Sequence, residues 1–447
     1  MPHVNAHHLR LESPGFGELF ATFGKIGLLS FGGPAGQIAL MHRIIVDEKR
    51  WLGEAQFLHA LNYCMLLPGP EATQLATYAG WLLRGTRGGI LAGILFVLPG
   101  AVVITALSAL YLAAGHLSVV QGLLFGLKAA VLAVVLEALV KVSRRAVKGW
   151  PMALIAIAAF IAIAFLKLPF PLIIAAAAAL GALGLVRAGG SQSSEATDTE
   201  TVAMPEWAQP NLSRLLVTLA TWLAIWFAPL ILFVAILGSA HVYTQEAGFF
   251  SKMATVTFGG AYAVLAYVAQ QAVEVYGWLK PEEMLTGLGL AETTPGPLIL
   301  VLVFVGFLGG ARLSGLEPFT GGLIGALVTL WFTFVPCFLW IFVGAPYVES
   351  VRSIRWLADA LAAVTAAVVG VIANLAVWFA IHVLFATVGE ISSGPFTIPL
   401  PDPASFDAVA ALIAALAAMA LITFRMNMIA VLAVAALAGM AWTLAAG

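Results

Sequence analysis

The chain has 447 residues, of which 62% are hydrophobic and only 10% charged, with a mean hydropathy of +1.01 and a formal net charge of −1. A soluble domain carries roughly 25% charged residues, so this composition excludes an ordinary soluble protein and gives no support for nucleic-acid binding. With no water in the bilayer core the backbone must satisfy itself, and apolar runs of this length leave only helices.

Residues 1–18 are polar and lack the basic, apolar and small-residue pattern of a cleaved signal. They are expected to form a cytoplasmic tail, with His3, His7 and His8 as part of a mobile end. From Phe23 to Pro70 the chain then reads F-x-K-x5-F-G-G-x13-D-x3-W-L-x15-P-G-P. Phe250 to Pro297 reads the same, with Lys252 for Lys25, Glu274 for Asp47, Trp278 for Trp51, and every pair 227 residues apart. A repeat this long in so apolar a chain predicts a transporter built from two related halves around a central site.

In each copy the breaks at Phe-Gly-Gly and Pro-Gly-Pro leave apolar pieces of roughly 12–16 residues, short of the ~20 needed to cross. Such pieces suit re-entrant helical hairpins. Uninterrupted spans are predicted at 88–113, 117–140, 150–166, 170–186 and 212–238, then at 318–345, 356–388, 404–424 and 427–445. The predicted fold is thus an all-α polytopic membrane protein, each half holding two broken hairpins and about four full spans. Its parts are an N-terminal repeat (19–186), a flexible cytoplasmic linker (187–211), a connecting span (212–238) and a C-terminal repeat (246–447).

Charge sets the orientation. Arg43, Lys49 and Arg50, then Arg84 and Arg87, then Lys141, Arg144, Arg145 and Lys148 all fall in the cytoplasm by the positive-inside rule. One odd span, 212–238, then inverts the second copy, which places Arg352, Arg355 and Arg425 inside but Lys280 and Arg312 outside. Trp51 and Trp278 fit interfacial anchors. Cys64 and Cys337 lie in apolar runs and read as packing residues.

The candidate site lies at the hairpin tips. A broken helix exposes free N–H groups, and Gly32, Gly33, Gly69, Gly259, Gly260 and Gly296 let a ligand approach that backbone. Pro34, Pro70 and Pro297 suit the first turn of each returning half-helix, whose N-terminus favours an anion. Lys25 and Lys252 sit six residues before their Phe-Gly-Gly, where they either neutralise a dianion or snorkel to the surface. Glu71 and Glu292 flank the Pro-Gly-Pro breaks and are candidates for a coupling proton, with helix capping the alternative for Glu71. Gln37, Asn62, Thr73, Gln74, Thr293 and Thr294 could donate to ligand oxygens or to local backbone. Glu137 and Lys141 read as an ordinary i,i+4 pair without a transport role.

No Walker A loop, metalloprotease helix or nucleophile elbow is present, so an enzyme is the weakest class, no cofactor is expected, and an ion gradient must drive any uphill movement. Lys25 through Gln37, K-I-G-L-L-S-F-G-G-P-A-G-Q, and the run from Leu61 through Leu67 into Pro68-Gly69-Pro70-Glu71-Ala72-Thr73 resemble the chromate ion transporter family in its long, two-domain form. Phe258-Gly259-Gly260, Trp278-Leu279 and Thr294-Pro295-Gly296-Pro297-Leu298 match the related second domain, which departs from the first at Ala261, opposite Pro34.

That resemblance implies chromate, or sulfate, as the cargo of a multi-pass protein of the prokaryotic inner membrane, with efflux and resistance as its setting. The expected activity is secondary active transport of a tetrahedral divalent oxyanion, with protons as the candidate coupling ion and an uncoupled, uniporter-like exporter as the alternative. A sulfate carrier and an anion channel stand as alternatives, and a homodimer is left open.

Overall fold

The computed structural model describes residues 14–186, 209–258, 261–347, 355–393 and 396–446. Most of the linker, Arg352, Gly259 and Gly260 lie outside the described residues.

Helix α1 (Phe16–Leu29) runs inward to the first glycine break, and α2 (Gly33–His42) returns, continued by a π-helical turn at Arg43–Glu48. One stripe of α1 buries Leu19, Phe23 and Ile26, while Phe20, Leu28 and Leu29 face outward. At 14 residues it measures about 21 Å, less than the ~30 Å hydrocarbon core. Gly32 and Gly33 adopt φ of +87° and +74°, conformations that cost a side chain dearly, and so reverse the chain.

The next hairpin is α3 (Glu54–Cys64) and α4 (Glu71–Ala114) around Pro68-Gly69-Pro70. Helix α4 is two antiparallel arms. Arg84 and Gly85 leave helical geometry, and Gly80 and Gly88 then pack backbone to backbone with no room for a Cβ on either. The second copy repeats this order. Helix α9 (Val242–Val256) is followed by α10 (Ala261–Gln270) with its own π turn at Gln271–Val275, then α11 (Pro281–Glu292), α12 (Val301–Leu313) and α13 (Pro318–Gly344).

The remaining helices of the first half are α5 (Ser118–Ala146), α6 (Trp150–Ala164) and α7 (Phe170–Ala182), followed by the connecting α8 (Leu212–Leu237). The second half ends with α14 (Arg355–Leu384), α15 (Ala408–Ala418) and α16 (Met428–Ala446). Six helices among the described residues are long and apolar enough to cross a membrane: α4, α5, α8, α13, α14 and α16. Helices α6, α7 and α15 are shorter than the predicted spans. This does not disturb the inversion. Taken as a pair, α6 and α7 add an even number of crossings, so the α4 outer arm, α5 and α8 leave the count between the copies odd.

The halves interlock rather than abut. Helix α5 packs on α15 and α16 of the other half, α14 packs on α6 and α7, and α5 and α14 cross each other. Glycines permit the closest crossings: Gly126 meets the α16 backbone at Ala435, and Gly370 meets α6 at Ala156. By contrast α8 buries only Trp226 and lies at the periphery.

The fold is all-α as expected, apart from a small antiparallel β-hairpin of Val388–Ser393 and Phe396–Pro401 within the predicted loop after α14. One expectation needs correction. Trp51 and Trp278 are not interfacial: they are 6% and 0% exposed, and Trp278 stacks on Tyr276 with ring centroids 4.4 Å apart. The bend after each π turn folds these indoles back under their hairpins.

Candidate anion site at the hairpin tips

The tips meet in two pairs, and they do so reciprocally. The Gly69 N–H donates to the Thr257 carbonyl at 2.7 Å, and the Gly296 N–H donates to the Ser30 carbonyl at 2.7 Å. Ser30 and Thr257 occupy equivalent positions 227 residues apart, as do Gly69 and Gly296. The same two-residue contact made twice with roles exchanged is the signature of a two-fold axis. Beneath each, a hydroxyl turns back on its own helix: Ser30 Oγ to the Ile26 carbonyl and Thr257 Oγ1 to the Met253 carbonyl, both at 2.6 Å. The second tip of each copy therefore locks onto the first tip of the other.

Each locked tip also leans on the proline-kinked helix of the opposite half. Gly69 faces Cys337, beside Pro336 on α13, and Gly296 faces Gly100, beside Pro99 on α4. Cys64 is buried at the end of α3, close enough to Cys337 and Glu71 to interact electrostatically. The two cysteines are thus packing residues at one tip, brought together from distant parts of the chain.

The symmetry stops at the side chains. Gln37, Thr73 and Gln74 surround the first copy's tips, whereas Val264, Leu300 and Val301 hold the equivalent positions. Gln37 Nε2 donates to the Gly296 carbonyl at 2.6 Å, and Gln74 Nε2 donates to the Pro68 carbonyl at 2.7 Å. Their amide oxygens, the Thr73 hydroxyl and the Thr333 hydroxyl on α13 are buried and have no hydrogen-bond partner among the described residues. Unmet polar atoms are rare in a protein interior; the Gln37 oxygen lies beside the Gly296 contact, and the Thr73, Gln74 and Thr333 atoms lie on the Gly69 side, so both contacts carry candidate partners for a polar occupant. The α2 and α4 N-termini add free N–H groups and partial positive charge there.

The other predicted residues distribute as follows. Gly32 is exposed and Gly33 half-buried at an open tip, with Pro34 starting α2. Pro70 precedes α4, Pro297 precedes a 3₁₀ turn at Leu298–Leu300, and Glu71 opens α4 within reach of the Arg145 charge. The Thr294 hydroxyl donates to the Ala291 carbonyl at 2.8 Å, and Thr293 does likewise to Leu290, so both close α11. Glu292, 4% exposed, accepts a 2.5 Å hydrogen bond from the Tyr262 hydroxyl. Lys25 is exposed on the outward stripe of α1. Lys252 is exposed on α9, its Nζ 5.8 Å from the Tyr267 ring centroid. The structure therefore does not bring the two lysines together around the tips.

Sequence reading missed the part played by α5. Glu137 and Lys141 do pair at 2.6 Å, as expected of an i,i+4 pair, and α5 packs against α11, the helix that ends at Glu292. Glu246 on α9 was missed as well. It is fully buried, neither oxygen has a partner among the described residues, and its copy-one counterpart is Leu19.

The family described as Chromate transporter matches residues 17–182 and 244–440, one block in each half. A "Chromate transport protein" of Pseudomonas aeruginosa is 31% identical over 363 residues, covering 79% of this chain and 79% of the relative. A "Probable chromate transport protein" of Synechococcus elongatus is 29% identical over 401 residues, covering 86% of this chain and 92% of the relative. A "Chromate transport protein" of Cupriavidus metallidurans is 26% identical over 363 residues, 79% of this chain and 80% of the relative. No solved structure matches the chain. With both repeats matched at the residues that build the interlocked tips, the chain belongs to the chromate transporter family.

Proposed function

We propose that the protein carries chromate out of a prokaryotic cell across its inner membrane by alternating access, with the anion held at the interlocked tips. The observation that carries this reading is the set of unpartnered buried polar atoms on Gln37, Thr73, Gln74 and Thr333, beside helix N-termini that favour an anion. The family and its named relatives supply the cargo; sulfate, a tetrahedral dianion of similar size, is the natural competitor. The residues proposed to face the anion are Gly32, Gly33, Pro34, Gln37, Pro70 and Thr73, with Gly259, Gly260, Thr294 and Pro297 from the second copy. Gly69 and Gly296 hold the tips together, and Lys25 and Lys252 contribute at most long-range positive charge.

Gly32, Ala35 and Gly36 at the first copy's tip stand exposed, whereas α10 of the second copy packs against α14. Export of a dianion from a cell negative inside is favoured by roughly 2.3 kcal/mol per charge per 100 mV. Glu292, held by Tyr262, is the proposed proton carrier, with Glu71 as its partner site.

Flux of radiolabelled chromate in proteoliposomes of known orientation tests this reading. Saturable flux is expected, driven by voltage, inhibited by sulfate, and with its pH dependence flattened by Glu292→Gln. Robust sulfate flux with no chromate flux would overturn the cargo. Unchanged pH dependence in Glu292→Gln would remove the proton role.

A further inference from the structure

A polar cavity lies away from the tips, on the side that the charge pattern assigns to the exterior. It holds about 400 Å³ and is walled by Tyr111 on α4, Gln121 and Lys128 on α5, Glu282 and Thr286 on α11, and Thr443 on α16. Lys128 stands ten residues into α5, about 15 Å below its outer end. An amine at that depth is costly and is retained where it faces a partner or water. Lys128 is half-buried and forms no hydrogen bond or salt bridge among the described residues; Glu282, exposed at the rim, acts on it only at longer range.

The cavity points at the tips. Helix α11 descends from Thr286 to Glu292 and the Pro-Gly-Pro break, so wall and tip share one helix. Between them Gly289 lies flat on α5, where a Cβ would meet the Leu127 side chain at 2.6 Å and Val131 at 3.2 Å. This apolar contact, one residue from Lys128, separates the cavity from the Pro-Gly-Pro end of α11. Outside it, Glu283 and Arg312 pin the start of α11 to α12, and Tyr111 ties it to α4.

We propose that this cavity is an outer oxyanion site, with Lys128 as its counter-charge and the Gln121 amide as a donor, and that it receives the anion when α11 lifts from Leu127 and Val131. The inference rests on the transport reading for the identity of the anion. Glu282 at the rim keeps the site weak, as a release site must be, because the water around it screens but does not cancel its repulsion. The Thr286 and Thr443 hydroxyls already donate to their own helices, at 3.0 Å to Glu282 and 2.9 Å to Gly439, so the lysine is the principal attraction.

Thr443→Cys in the otherwise native chain gives a reporter in the cavity wall, since Cys64 and Cys337 are buried and silent towards a membrane-impermeant maleimide. Labelling from the outer face is expected, slowed several-fold by chromate. Adding Lys128→Gln should abolish that protection without slowing the labelling, and Lys128→Arg should restore it. In a chain without the reporter, Lys128→Gln should lower chromate flux about tenfold at equal membrane abundance. Labelling that chromate leaves unchanged, with normal flux in Lys128→Gln, would overturn the site. Protection by phosphatidylglycerol but not by chromate would overturn it too, assigning the cavity to a lipid phosphate. Wild-type flux is measured in the same vesicles. Its absence would sink the transport reading alone, because protection judges the anion site independently.

Discussion

Gly69→Ala and Gly296→Ala should each lower chromate flux about a hundredfold while the protein still reaches the membrane. Gly69 has φ of +120° and Gly296 of +93°, where a side chain costs about 1–2 kcal/mol. Space is short as well: a Cβ on Gly69 would lie 3.3 Å from Cys337 Sγ and 3.0 Å from Gln74 Nε2, and on Gly296 3.0 Å from Leu300 Cδ1. Relief of that strain moves the N–H off the Thr257 or Ser30 carbonyl, stranding buried polar groups at about 1–3 kcal/mol. The total, about 2–5 kcal/mol, spans factors of roughly thirty to several thousand. Because the two contacts are one contact repeated, the two variants should fail alike. Gly24→Ala and Gly248→Ala, where nothing lies within 4 Å, should leave flux within about twofold. Normal flux in Gly69→Ala would mean the interlock does not hold the transporting state.

Arg312→Gln should lower the melting temperature of the purified protein more than any surface substitution. Glu283 accepts from both guanidinium nitrogens of Arg312 at 2.7 and 2.6 Å, from Tyr111 at 3.0 Å and from the Lys280 N–H at 2.8 Å. Its side chain is 8% exposed, so removing the cation strands a carboxylate in a dry site. Breaking a buried pair costs about 3–5 kcal/mol; with Arg312 33% exposed, about 2–3 kcal/mol is expected. Glu283→Gln combined with Arg312→Gln should cost less than the two single losses added together. A native melting temperature in both single variants would show that the knot bears no load.

The repeat was legible because its marks are backbone necessities. Only glycine serves at Gly32, Gly69 and Gly296, so both copies keep the break in register. What joins the copies was not legible, because the acceptors are the carbonyls of Ser30 and Thr257 and a carbonyl leaves no trace in the sequence. Glu292 gave no sign of its Tyr262 partner, because the two lie 30 residues apart and meet only through packing. Lys128 did leave a signal, a lysine at the middle of the predicted span 117–140. The β-hairpin went unseen because its two six-residue strands fall between the predicted spans 356–388 and 404–424, where only apolar length was weighed. Trp51 and Trp278 went astray because their position at a hairpin's end suggests an interface, while the π turns fold them inside.

Thr73 offers the most direct test of the central claim. Its hydroxyl is buried and has no partner among the described residues, so Thr73→Val should leave the fold as stable as before. A hydrogen bond to a charged ligand contributes about 1.5–3 kcal/mol. The measurement is equilibrium binding of radiolabelled chromate to the purified protein and to Thr73→Val. An anion held at the interlocked tips predicts at least tenfold weaker binding with an unchanged melting temperature. Equal affinity in the two proteins would contradict it and place the anion elsewhere.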